Sequence, residues 1–142
     1  MTDGPNPVFF LDRNLGRKTV PTLLRDAGLV VEVMDDHFAP DTSDEVWLEE
    51  VGKRGWFVVT LDEKIRYRRG EQDAVRRFDV GLFLLVRWKG STGLALAAAL
   101  LKARKALLRL TVRQERPFIA KVYGDGKVSL WLKRGTGGTL RR

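Results

Sequence analysis

The chain has 142 residues and a mass of 16.1 kDa, enough for one compact domain and too little for two ordinary ones. It has no cysteine and a single histidine, His37, which excludes a disulfide scaffold, a thiol nucleophile and any cysteine-based or multi-histidine metal site. The net charge of +8 is unevenly spread: residues 1–71 hold 10 Lys/Arg against 14 Asp/Glu, and residues 72–142 hold 16 against 4, the pattern of a carboxylate site beside a surface that attracts polyanions.

Residues 8–12, Val-Phe-Phe-Leu-Asp, predict a buried first strand ending in an acid. Leu15, Val20, Leu23, Leu24 and Ala27 then share one helical face, with Pro21 in the helix's opening region and Gly28 as its stop. Leu29 to Met34 is a valine-rich second strand, followed by a polar loop from Asp35 to Thr42 that contains Pro40. Ser43 has the character of an N-cap, with Asp44, Glu45, Glu49 and Glu50 placed where the helix dipole favours negative charge. Val46, Trp47, Leu48 and Val51 form that helix's apolar face, and Gly55 ends it.

Trp56 to Thr60 is a third strand, again running into an acid, Asp62. The charged segment Glu63 to Phe78 suits one or two short helices broken near Gly70. Val80 to Val86 is almost wholly apolar, as a strand covered on both faces must be. Ser91 is placed to cap one long Ala/Leu-rich helix, Leu94 to Leu110. A hairpin follows: Phe118–Tyr123 and Lys127–Leu132 flank Gly124-Asp125-Gly126.

The alternation of strand and helix predicts an α/β fold, an open parallel sheet in three α/β/α layers with a C-terminal β-hairpin. A single domain is expected over 3–133, with a core at 8–110, the hairpin at 117–133, and a flexible basic tail at 134–142. The longest apolar run, Leu94 to Leu101, is far too short to span a membrane, and Met1-Thr2-Asp3-Gly4 shows no export signal. A cytoplasmic protein without membrane attachment is the expectation.

In open parallel sheets ligands sit beyond the carboxyl ends of the strands. Asp12 and Asp62 follow the first and third strands, and Asp44 and Glu45 open a helix at the same edge. Carboxylates packed together repel unless a cation neutralises them, and an all-oxygen set suits Mg²⁺ or Mn²⁺. Each acid also has a plainer use: Asp12 and Asp62 as helix caps, Asp44 and Glu45 as dipole partners. Lys64, Arg66, Arg68 and Arg69, with Tyr67 among them, directly follow Asp62 and are the candidates for phosphate contact. Lys102, Arg104, Lys105 and Arg109 are first of all a solvated helix face, and Trp88 and Trp131 fit either base stacking or packing.

Three segments, Phe10-Leu11-Asp12-Arg13-Asn14-Leu15, Ser43-Asp44-Glu45 and Val58-Val59-Thr60-Leu61-Asp62-Glu63-Lys64, resemble the PIN-like domains of VapC-type toxins over about residues 8–87. The resemblance implies a Mg²⁺- or Mn²⁺-dependent endoribonuclease, the toxin of a bacterial type II toxin–antitoxin pair that cleaves tRNA or rRNA. It further implies a homodimer silenced by a small cognate antitoxin protein. By position, Asp12, Asp44 and Asp62 match the metal-binding and catalytic acids, with Glu45 as the alternative to Asp44; Asn14 and Thr60 match the flanking small polar residues.

One departure stands out. The family's further acid near the end of the fourth strand is replaced here by Arg87-Trp88-Lys89, and Asp79 precedes that strand. A catalytically inactive, nucleic-acid-binding PIN-like module is therefore the alternative. A receiver-type signalling domain, which needs adjacent acids after the first strand, fits poorly with a lone Asp12.

Overall fold

The computed structural model describes residues 6–61 and 69–134. Six strands form one sheet: β1 (Val8–Leu11), β2 (Val30–Val33), β3 (Phe57–Thr60), β4 (Gly81–Leu85), β5 (Phe118–Val122) and β6 (Val128–Leu132). Their spatial order is β2-β1-β3-β4-β5-β6, all pairs parallel except β5–β6. Five helices cover the sheet: α1 (Thr19–Asp26), α2 (Asp44–Arg54), α3 (Arg69–Arg77), α4 (Gly93–Lys102) and α5 (Arg104–Arg113). The three-layer α/β architecture is as the alternation predicts.

The period-2 alternation of the strands divides the core in two. Phe9, Leu11, Phe57, Val59, Phe83, Leu85, Phe118 and Ala120 pack with α1, α4 and α5 on one face. Phe10, Val58, Leu82, Leu84 and Ile119 pack with α2 and α3 on the other. All five residues of β4 are buried, which explains its unbroken apolar sequence. Gly81 admits no side chain, because a Cβ there would lie 2.7 Å from the Phe57 ring and 2.8 Å from that of Phe118.

Two local expectations are corrected. The helix expected from Leu94 to Leu110 is two helices meeting at Ala103, which is 1% exposed and has φ −85° and ψ −1°. The turn of the hairpin presses on this junction, where a Cβ on Gly126 would lie 2.6 Å from the Lys102 Cβ. The N-cap of α4 is Thr92 rather than Ser91, its hydroxyl accepting from the Ala95 N–H at 3.1 Å. By contrast Ser43 caps α2 and Gly55, at φ +72°, ends it, as the sequence predicts. The hairpin itself is an extension of the main sheet, since β5 pairs in parallel with β4 from Phe118↔Gly81 to Val122↔Leu85. Residues 135–142, where a tail is expected, lie outside the described residues.

Candidate functional site

The strand order sets the site. From β1 the chain moves outward to β2 on one side, while β3 lies on the other, and α1 and α2 pack on opposite faces. The carboxyl ends of β1 and β3 therefore border the crevice where the order reverses, the usual ligand position of an open sheet. The register pairs Leu11 with Val59, and the Asp12 N–H still donates to the Val59 carbonyl at 2.9 Å. Asp12 and Thr60 thus leave the two strands side by side.

Hydrogen bonds lock this corner. The buried Thr60 hydroxyl donates to Asp12 Oδ2 at 2.7 Å, and the Arg13 N–H donates to Asp12 Oδ1 at 2.6 Å. Asn14 Nδ2 donates to Thr60 Oγ1 at 3.3 Å, and its Oδ1 accepts from the Leu61 N–H at 3.2 Å. These donors orient the Asp12 carboxyl group, as outer partners orient metal-ligating carboxylates. It also caps the 3-10 turn Arg13–Leu15, so the cap role and the site role coexist in one side chain. Asn14 thus holds the Thr60–Leu61 peptide at the end of β3.

Asp62, Lys64, Arg66 and Arg68 lie outside the described residues. Asp44 opens α2, exposed, and its Oδ1 accepts from the Trp47 indole N–H at 3.0 Å. Glu45 next to it is ion-paired with Arg77 on α3. Both line a cleft of about 480 Å³ between α2 and α3 together with Glu71, Asp73 and Arg77. Arg69 is the exposed first residue of α3. Among the described residues no three Asp, Glu, His or Cys side chains are close enough to hold a metal ion. The donor chemistry suits a hard divalent cation: only oxygen donors stand at this corner, with no cysteine in the chain.

His37 stands apart. Its Nε2 bonds Glu32 Oε1 at 2.7 Å and its ring packs edge-on to Trp56 at 5.1 Å. Trp88 packs against the α1/α4 core and over Gly124, and Lys121 sits 5.3 Å from the centroid of the Trp131 ring. Asp79 precedes β4 at the opposite sheet edge, 3.8 Å from Arg134.

Four basic residues of the site were not singled out by sequence reasoning. Arg13 reaches across the mouth to Asp35 at 2.8 Å and to the carbonyls of Ala39 and Pro40, tying down the loop after β2. Arg17, Lys18 and Arg87 line a second cleft, of about 510 Å³, on the α1/α4 side of Asn14 and Leu61. A signal was available for Arg87: it follows a buried parallel strand at its carboxyl end, the ligand edge.

No helix among the described residues is long and apolar enough to cross a membrane. A family model described as a PIN like domain matches residues 7–87. The curated protein "Putative ribonuclease VapC45" of Mycobacterium tuberculosis is 35% identical over 82 residues. That alignment covers 55% of this chain and 59% of the relative's own length. No solved structure matches.

Proposed function

Because this chain belongs to the PIN-like domain family, whose model covers more than half of it, we propose that it is a metal-dependent endoribonuclease, the toxin of a bacterial type II toxin–antitoxin pair. The name of the mycobacterial relative supports the ribonuclease reading. The observation that carries it is the Asp12–Thr60–Asn14 corner at the β1/β3 crevice, bonded to the Leu61 N–H.

In this reading Asp12, Asp44 and Asp62 hold Mg²⁺ or Mn²⁺, with Glu45 the alternative to Asp44. When bound, such an ion lowers the pKa of a coordinated water and offsets the charge developing on a phosphodiester. The protein's own part is orientation. Thr60 aims the Asp12 carboxylate, Asn14 holds both Thr60 and the Leu61 peptide, and Arg13 closes the loop over the mouth. Lys64, Arg66, Arg68 and Arg69, which follow Asp62 in the sequence, supply phosphate contacts. The substrate is tRNA or rRNA, and the partners are a small antitoxin and a second copy of the chain.

The purified protein is expected to cleave RNA with Mg²⁺ or Mn²⁺ and to stop with EDTA. Asp12→Asn and Asp62→Asn each abolish cleavage without unfolding the protein; activity that survives both refutes the metal-site mechanism. One observation favours a second reading, a binding module without catalysis: β4 is followed by Val86 and Arg87, with no acid directly after its carboxyl end. RNA binding that weakens with salt, with no cleavage under any divalent ion, selects that reading.

A further inference from the structure

The crevice is flanked by two clefts of opposite sign, one on each face of the sheet. Among the described residues, the lining on the α2/α3 face carries Asp44, Glu45, Glu71 and Asp73 with Arg77 as its cation. On the α1/α4 face the described lining residues include Arg17, Lys18 and Arg87, and none of them is a carboxylate. The floor of this second cleft is apolar and buried, formed by Leu15, Val20, Leu61 and Leu96. Its rim is cationic and exposed, and Asn14 and Leu61, which belong to the Asp12 corner, form its inner wall.

Among the described residues, those lining the α2/α3 cleft present four acids and one cation to a phosphate, whereas those lining the α1/α4 cleft present three cations. We infer that the α1/α4 cleft seats the RNA strand flanking the scissile bond, with its phosphate on Arg17, Lys18 and Arg87 and its nucleoside against the leucine floor. This inference rests on the ribonuclease reading and adds to it the direction in which the strand leaves the site. Arg17 also lies 3.6 Å from Asp35, an exposed pairing that a phosphate replaces at little cost.

The test uses the full chain, a short single-stranded oligoribonucleotide of mixed sequence in EDTA, and a separate Mg²⁺ cleavage assay. The triple variant Arg17→Gln, Lys18→Gln, Arg87→Gln is expected to bind about tenfold or more weakly at low salt. Its log-affinity against log-salt slope falls by about 2, since single strands lose about 0.7 per phosphate contact. In cleavage, KM rises while kcat is retained. A charge-matched control, Lys102→Gln, Lys105→Gln, Arg109→Gln on the solvated helix face, stays close to wild type. Lys18→Gln alone, at an exposed position where folding is not at stake, lowers the slope by about 0.7.

Equal slopes for the triple variant and the control, with wild type still cleaving, overturn the cleft assignment and leave the ribonuclease reading standing. A defect confined to kcat overturns it as well. A wild-type protein that neither binds nor cleaves RNA overturns both.

Discussion

Replacing Thr60 separates what its hydroxyl does from what its bulk does. The side chain is 2% exposed, so its volume and its hydrogen bonds both count. Thr60→Val keeps the volume and removes the donor to Asp12 Oδ2 and the acceptor for Asn14 Nδ2. A hydrogen bond to a charged group is worth about 1.5–3 kcal/mol, and because Asp12 is only half-buried, water recovers part of it; a loss of about 1.5 kcal/mol is expected. Thr60→Ser keeps the hydroxyl and deletes one buried methyl, at about 1 kcal/mol. The two variants therefore cost similar stability for different reasons.

Their activities separate them. Thr60→Ser still aims Asp12 and keeps its cleavage rate, whereas Thr60→Val loses about 10–100-fold, the usual effect of removing an outer partner of a metal ligand. Stability is read by urea unfolding in EDTA and activity by Mg²⁺-dependent cleavage. A double-mutant cycle with Asp12→Ala gives the pair's coupling energy, expected near 1–2 kcal/mol. Equal activity of the valine and serine variants, or a coupling below about 0.3 kcal/mol, refutes the orienting role.

Two other sites give independent checks. Gly52→Ala places a Cβ 2.2 Å from the Phe78 carbonyl oxygen, a backbone atom that cannot swing away; α2 and α3 must part, with a loss of about 2–3 kcal/mol by thermal or urea unfolding, and a neutral result contradicts the packing. Arg13→Gln removes the ties to Asp35, Ala39 and Pro40; global stability changes by less than about 1 kcal/mol, but amide exchange across residues 35–42 accelerates, and unchanged exchange contradicts the strap role.

The sheet was legible because its signals are local. Each parallel strand is a short, mostly apolar run, Asp12 falls just past the end of β1, and Ser43 and Gly55 bracket α2 by ordinary capping chemistry. The junction at Ala103 was not, because Leu101-Lys102-Ala103-Arg104 contains no helix breaker. The agent is the distant turn at Gly126, a tertiary contact that no window of sequence contains. The same holds for the basic cleft: its walls come from residues 14–20, Leu61 and residues 87–96, three stretches that meet only through the β1/β3/β4 register. In the candidate site, Asp12, Asn14 and Thr60 were named from the resemblance, and their mutual bonding is a fact of the fold. The ion pair that engages Glu45 depends on α3 lying beside α2 and has no mark in the sequence.

The stretch that matches the family model stops at residue 87, yet β4 pairs through its length with Phe118–Val122 beyond it. Excised at that limit, or grafted onto another scaffold, the matched piece would present the backbone of a wholly apolar strand as an open template for intermolecular pairing. The last third of the described chain is thus the guard rail of the sheet.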